Sequence, residues 1–195
     1  MAKETLKNIF LSASVPLPER DPIYIETADI VAIRDAVIAL VTTVIPKYRL
    51  IWGGHPSITP LVNYVVQKQK RSVQEYVLLY QSRFFEQYFP EDNNAFENVI
   101  LTRALADKNA SLKLMRETMF RNHTFEAGIF IGGMEGVEKE YTLFRELQPE
   151  ATFIPLASTG AASKIIFDNQ INPDRRFLND FAYSSIFQEY ILDKT

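Results

Sequence analysis

Three glycines and a glutamate lie close together after an apolar run at residues 127–131, and together they can form a site for an anion. Glycine lets the backbone turn sharply and lets a ligand approach it closely. The free N–H groups at the start of a following helix attract a group such as phosphate. The order of strand, glycine turn and helix therefore predicts a nucleotide-type site. We expect it to comprise Gly132, Gly133, Met134, Glu135, Gly136 and Glu140.

A second glycine turn follows the apolar run at residues 48–52 and also precedes a helix. It consists of Gly53, Gly54, His55 and Pro56. The glycines leave room for a ribose or a phosphate, and His55 can hydrogen-bond to either. A general-base role for His55 is disfavoured because the sequence shows no partner for it. The alternative for the whole turn is a plain entry into the helix.

Small polar or cationic residues follow the remaining strand candidates. The hydroxyls of Ser12 and Ser14 can bind phosphate or a sugar, or they can simply cap a loop. Thr159 can contact an anion or cap a helix. An arginine such as Arg83 or Arg103 can bind a phosphate or carboxylate through two hydrogen bonds, although a surface salt bridge is the commoner outcome. We expect Arg83 to reach the site.

Apolar strand candidates alternate with helix-favouring segments along nearly the whole chain. Strands are predicted at residues 8–12, 48–52, 75–80, 98–101, 125–131 and 152–156. Helices are predicted at residues 28–44, 59–68, 109–121, 137–147, 159–167 and 181–192. This alternation predicts an α/β fold, namely one Rossmann-like, three-layer domain over residues 1–195, with a mostly parallel central sheet and helices on both faces. Ligands of such folds bind at the carboxyl ends of the strands, where all of these polar turns lie.

Several local features are also predicted. Residues 15–25 contain three prolines and are expected to form a loop that serves as a lid or binding loop. Helix N-caps are expected at Thr27 and at Ser57 or Thr59, and Pro46 should end the first helix. Pro155 predicts an irregular end to the last strand. The aromatic segment at residues 84–89 is expected to be core or a subunit contact rather than a base-stacking surface.

Composition excludes several functional classes. The net charge of −3 makes a general nucleic-acid binder unlikely. The chain has no cysteine, which fits the cytoplasm, and its two histidines are too isolated for a metal centre, so no metal or cofactor is expected. No apolar run is long enough to indicate a membrane span. No lysine of the Walker type follows either glycine turn, which argues against an ordinary P-loop enzyme.

Three segments of the chain together resemble the SLOG superfamily, and the resemblance extends from residue 9 to about residue 162. They read FLSAS at residues 10–14, IWGGHPSITPLV at residues 51–62 and FIGGMEGVEKEYTLF at residues 130–144. The superfamily groups the LOG (Lonely Guy) and DprA-like Rossmannoid domains with nucleotide-sensing domains of bacterial conflict systems. LOG enzymes release a nucleobase from a nucleoside monophosphate. The SLOG domains of TIR-linked systems bind molecules of the cyclic ADP-ribose type.

The resemblance to the LOG motif PGGxGTxxE carries over only in part. Gly132 and Gly133 match its paired glycines, Gly136 its third glycine and Glu140 its glutamate. Isoleucine replaces the proline, one extra residue precedes Gly136, and Val137 replaces the threonine. These departures favour recognition of a nucleotide over its cleavage.

We therefore expect a domain that senses a nucleotide-derived signal in a bacterial antiviral or conflict system. Backbone amides would hold phosphates, Arg83 would add charge and Glu140 would bind a ribose hydroxyl. The alternatives are a LOG-like hydrolase or transferase of N-glycosidic bonds, in which Glu140 is catalytic, and an assembly module with a vestigial pocket. The resemblance also implies a homo-oligomer, and a sensor of this length implies a separate effector or signal-producing protein.

Overall fold

The computed structural model describes residues 6–45, 47–69 and 74–193, and these residues build one six-stranded sheet. The spatial order of the strands is β4-β3-β2-β1-β5-β6, and every neighbouring pair is parallel. The strands are β1 (Asn8–Ser14), β2 (Arg49–Trp52), β3 (Val77–Ser82), β4 (Val99–Thr102), β5 (Phe125–Gly132) and β6 (Thr152–Leu156). All six strand predictions are confirmed, with small shifts at their ends.

Helices cover both faces of this sheet, so the predicted three-layer, Rossmann-like α/β fold is confirmed. They are α1 (Pro22–Ile25), α2 (Ile30–Val44), α3 (Thr59–Lys68), α4 (Lys108–Asn122), α5 (Glu135–Leu147), α6 (Ala161–Asp168), α7 (Arg176–Asn179) and α8 (Tyr183–Phe187). Helices α2, α3 and α8 pack on one face, and α4, α5 and α6 pack on the other. No helix in the described part of the chain combines the length and hydrophobicity needed to cross a membrane.

The start of α2 differs from its prediction. Its N-cap is Asp29, whose carboxylate accepts a hydrogen bond from the Ala32 N–H at 2.9 Å. The hydroxyl of Thr27 instead accepts from the Ala161 N–H at 2.8 Å and so ties the preceding loop to α6. The Thr27 hydroxyl, which the sequence predicts as the cap of α2, is therefore used in a tertiary hydrogen bond instead. Pro46, which was predicted to end α2, lies outside the described residues.

Neither of the two expected residues caps α3. The Ser57 hydroxyl accepts from the Val15 N–H at 3.1 Å, and the Thr59 hydroxyl accepts from the His55 N–H at 3.3 Å. The helix itself has no side-chain cap. Both hydroxyls therefore fix the turn between β2 and α3 rather than the first helical N–H groups.

Other differences lie in the irregular segments. The loop at residues 15–25 contains the short helix α1. Pro155 does not disturb β6, since it pairs in register with Phe130, and β6 is an edge strand in which a missing N–H is tolerated. The predicted terminal helix begins at α8 and continues as a π-helix at Gln188–Leu192. Helix α7 was not predicted from the sequence.

The core divides at the sheet because side chains alternate along each strand. On β1, Ile9 and Leu11 face α2 and α3, whereas Phe10 faces the other layer. There the fully buried ring of Phe144 lies 5.1 Å from Phe10 and 5.3 Å from Phe120, measured between ring centroids. Gly128 leaves room for it: a Cβ at this position would lie 2.6 Å from a ring carbon of Phe144.

We expect Gly128→Ala to lower the free energy of unfolding by about 1–3 kcal/mol, because the added methyl overpacks a ring that is enclosed on all sides. Gly136→Ala is the matched control. A Cβ at Gly136, in the first turn of α5, would lie 3.5 Å from the nearest atom and fits without displacement. We expect this control to be neutral or to stabilise by up to about 1 kcal/mol. Equal effects in urea unfolding would contradict the packing argument.

Candidate functional site

A cavity of about 330 Å³ opens at the carboxyl ends of β1, β2 and β3, beside the start of α5. The chain leaves β1 towards β2 on one side and returns to β5 on the other, so the cavity lies next to the point where the strand order reverses. Nine of the residues predicted to contact a ligand line it: Ser14, Gly53, Gly54, His55, Pro56, Met134, Glu135, Gly136 and Glu140. The glycine turns after β2 and β5 therefore share one site.

The carboxylate of Glu140 lies in this cavity and is held on both oxygens. Ser12 donates to Oε2 at 2.5 Å, and the Arg116 Nε donates to Oε1 at 3.0 Å. The two charged side chains are only 10% and 14% exposed, for Arg116 and Glu140 respectively. Ser12 is buried and supports Glu140 rather than lining the cavity itself. The expected ribose contact of Glu140 would therefore have to share oxygens that already have donors.

The amides of Gly132 and Gly133 already have hydrogen-bond partners, contrary to the expectation that they are open to a phosphate. The Gly132 N–H donates to the Thr159 hydroxyl at 2.8 Å, and the Gly133 N–H donates to the Ser14 carbonyl at 2.8 Å. Neither glycine lines the cavity. Thr159 is fully buried, so it fixes the turn and does not contact a ligand. The glycines are needed because φ is +53° and +90° at these two positions.

The start of α5 has backbone N–H groups that can bind an anion, whereas the N–H groups of the glycine pair are already bonded. No side chain caps this helix, and its first N–H groups have no carbonyl one turn earlier, although the Val137 N–H donates to the Met134 carbonyl at 2.9 Å. Met134, Glu135 and Gly136 all line the cavity at this end. Val137 lines it too, packs against Gly133 and presents methyl groups where the LOG motif has a hydroxyl.

The imidazole of His55 is held by its own turn. Its Nδ1 accepts a hydrogen bond from the Ser57 N–H at 3.2 Å and lies 2.8 Å from the Ser57 hydroxyl. These contacts place the proton of the neutral ring on Nε2. Burial lowers the pKa of His55, and the charge of Glu140 opposes this effect. At neutral pH His55 is therefore a hydrogen-bond donor through Nε2 rather than a general base.

Three cationic side chains that line the cavity were missed in the sequence: Arg20, Lys108 and Arg116. Arg20 comes from the loop after β1 and forms an ion pair with Glu135 at 3.5 Å. The sequence carries a signal for Arg116, because it lies between Leu112 and Met119 on the apolar stripe of α4, four residues after one and three before the other. A charge at that position requires a buried partner, which is Glu140.

Two other sequence predictions are corrected by the structure. Arg83 does not line the cavity but is exposed and pairs with Glu86 at 2.9 Å, and Arg103 is also exposed outside it. The aromatic segment is not core. It forms a 3₁₀-helix, Arg83–Tyr88, without a buried residue, and Phe85, Tyr88 and Phe89 form one wall of the cavity.

Comparison with known proteins agrees with this fold. The model of the SLOG cluster3 family matches residues 23–191. The X-ray structure of TM1055 superposes on 95% of this chain and 100% of its own, with a TM-score of 0.60 and 17% sequence identity. At this identity the structural likeness shows a shared fold alone. No curated protein matches the sequence.

The Arg116–Glu140 pair should show strong energetic coupling because both charges are largely removed from water. In a double-mutant cycle of Arg116→Met and Glu140→Gln, we expect an interaction energy of about 1–3 kcal/mol. The control cycle uses Lys164 and Asp168, a helical pair that is 36% and 51% exposed, for which about 0.3–0.5 kcal/mol is expected. Equal coupling in the two cycles, measured by urea unfolding, would contradict a buried ion pair.

Acidification should destabilise the protein through His55. Its folded pKa lies below the unfolded value of about 6.5, so the unfolded state binds the proton first. The contribution of neutral His55 to the free energy of unfolding is complete above about pH 6.5. It is lost as the pH falls through the folded pKa of His55. His55→Asn keeps an acceptor for the Ser57 N–H but does not titrate. We expect this variant to lose stability less steeply between pH 7 and pH 5.

His123 serves as the comparison for this experiment, because burial and then the charge of Arg49 also lower its pKa. His123→Asn should remove a separate part of the acid sensitivity, so that the two effects add in the double variant. An unchanged pH slope in His55→Asn, measured by thermal unfolding at a series of pH values, would show that His55 is not held neutral.

Proposed function

Because the chain belongs to the SLOG cluster3 family, we propose that its cavity binds a nucleotide or a nucleotide-derived signal, such as a cyclic ADP-ribose-like molecule, and recognises it without cleavage. One observation carries the proposal. The same cavity is lined by an uncapped helix start, by cationic side chains and by aromatic rings. A nucleotide joins an anionic group to a planar ring and matches both kinds of lining.

The anionic half of the ligand is matched by the start of α5. Its free N–H groups and dipole favour a phosphate. Arg20 and Lys108 line the cavity and add charge. The ion pair of Arg20 with Glu135 is long, at 3.5 Å, and exposed, whereas Arg116 is buried in its pair with Glu140. Ser14 is 6% exposed and lines the same cavity, and its hydroxyl, which has no partner in the described part of the chain, suits a ribose or phosphate oxygen. Arg20 also makes the loop after β1 part of the binding site.

The role in signalling rests on the resemblance to SLOG domains of bacterial conflict systems. We propose that residues 1–195 act as one cytoplasmic sensor domain in antiviral defence, forming a homo-oligomer and acting through a separate effector or signal-producing protein. The departures from the LOG motif support sensing over cleavage, and Val137 in particular offers no hydroxyl to a ligand at the start of α5.

A LOG-like N-glycosidase is the second candidate, and the position of Glu140 supports it. The carboxylate lies in the cavity, where it would stabilise positive charge developing on a ribose ring. Chromatography of nucleoside monophosphates after incubation with the protein separates the candidates. Release of free base that disappears in Glu140→Gln would establish the enzyme, whereas binding without base release supports the sensor.

Calorimetry with AMP, NAD, ADP-ribose and cyclic ADP-ribose isomers tests the proposal directly. We expect Arg20→Ala combined with Lys108→Ala to weaken binding of the phosphate-bearing ligands about tenfold, because each loses charge-assisted contacts. Adenosine, which has no phosphate, should bind both proteins equally. Arg83→Ala is the matched control, since Arg83 is exposed outside the cavity. Absence of binding to every nucleotide at millimolar concentration would refute the proposal.

A further inference from the structure

Gln81 presents an unpaired amide to the cavity. It is the penultimate residue of β3, is 6% exposed and lines the cavity wall. Its backbone carbonyl accepts from the Thr102 hydroxyl, but its side-chain amide has no hydrogen-bond partner among the described residues. Because Gln81 is otherwise enclosed, the cavity is where its amide can find a hydrogen-bond partner, and a bound ligand can supply one. The amide is accessible from the cavity.

The backbone of the neighbouring turn makes room for this amide. Gly54 has a φ of +66°, and a Cβ there would lie 1.8 Å from the Gln81 Nε2 and 2.8 Å from a methyl carbon of Leu79. The second glycine after β2 therefore allows the Gln81 side chain to lie along the cavity wall. The sequence predicted Gly54 as a place where a ligand approaches, and the structure shows that a protein side chain occupies part of that space.

An aromatic surface begins directly after Gln81 in the chain. Phe85 and Phe89 are half-buried and Tyr88 is 68% exposed, and all three line the same cavity. Aromatic rings offer stacking to any nucleobase and do not distinguish one from another. Discrimination requires a polar group at the edge of the stacked ring. An amide suits this task because it presents a donor and an acceptor side by side.

We propose that Gln81 is the residue that determines base specificity, by pairing its amide with the edge of a heterocycle bound against the aromatic wall. The paired edge carries the exocyclic group at purine C6 or pyrimidine C4 and the neighbouring ring nitrogen. This inference rests on the proposed function and adds which part of the ligand the protein recognises, namely the edge of the base. In this arrangement the start of α5 binds the phosphate, and Gln81 on β3 selects the base.

Gln81→Met tests the inference, because methionine keeps the length of the side chain and removes the amide. AMP, GMP, CMP, UMP, ADP-ribose and ribose 5-phosphate are titrated by calorimetry into the wild type and the variant. We expect the variant to bind its best base-bearing ligand about tenfold more weakly, since one partner of a buried hydrogen-bonded pair is lost. Ribose 5-phosphate, which has no base, should bind both proteins equally.

A base analogue provides a second readout. The wild type should bind the monophosphate analogue that lacks the exocyclic C6 or C4 group about tenfold more weakly than the parent nucleotide, and Gln81→Met should not distinguish the two. Gln67→Met is the matched control, because Gln67 is exposed on α3 and bonds to Asn63. Thermal unfolding should show no loss of stability in Gln81→Met, whereas a purely structural glutamine would lose stability.

The outcomes separate this inference from the proposed function. If the wild type binds a nucleotide and Gln81→Met binds it equally well, or loses ribose 5-phosphate to the same degree, the role of Gln81 is refuted and nucleotide binding stands. If ADP-ribose alone binds, weaker binding to Gln81→Met but not to Gln67→Met supports the inference, and equal binding to Gln81→Met refutes it. If the wild type binds none of these ligands, both the proposed function and the inference fail.

Discussion

The ion pair between Glu140 and Arg116 connects three of the elements around the cavity. Glu140 projects from α5, Arg116 from α4, and Ser12 joins them from β1. Because both charges are largely shielded from water, their mutual attraction offsets the cost of removing each of them from water. The distance between the start of α5 and the ends of the central strands therefore depends on this contact. A ligand that approaches Glu140 meets a carboxylate whose orientation is already fixed.

The glycine turn after β5 has a structural role that the motif alone does not reveal. Its two N–H groups are used by Thr159 and by the Ser14 carbonyl, so they align β5 with β1 and with the segment after β6. The groups that remain for an anion belong to the first turn of α5. In the proposed site the donors for an anion therefore begin after the glycine pair rather than within it.

The strands and their parallel order were predictable because apolar runs of strand length alternate with helical segments, and local sequence carries both signals. The N-caps of α2 and α3 were not, because Thr27 and Ser57 accept hydrogen bonds from residues distant in the sequence, and Thr59 accepts one from His55 in the turn before α3. Arg83 was misassigned for a related reason. The sequence places it after β3, but it does not show that the chain turns at once into a 3₁₀-helix that exposes this side chain.

The connection between β3 and β4 explains why the cavity has an aromatic wall. The other connections between successive strands include an α-helix, whereas this one consists of two 3₁₀-helices, Arg83–Tyr88 and Glu91–Ala95. A 3₁₀ segment buries little of its side chains against the sheet, so the rings of Phe85, Tyr88 and Phe89 remain at the carboxyl edge. The same lack of a covering helix leaves Gln81 beside open space. One unusual crossover thus provides both an apolar surface and the polar group next to it.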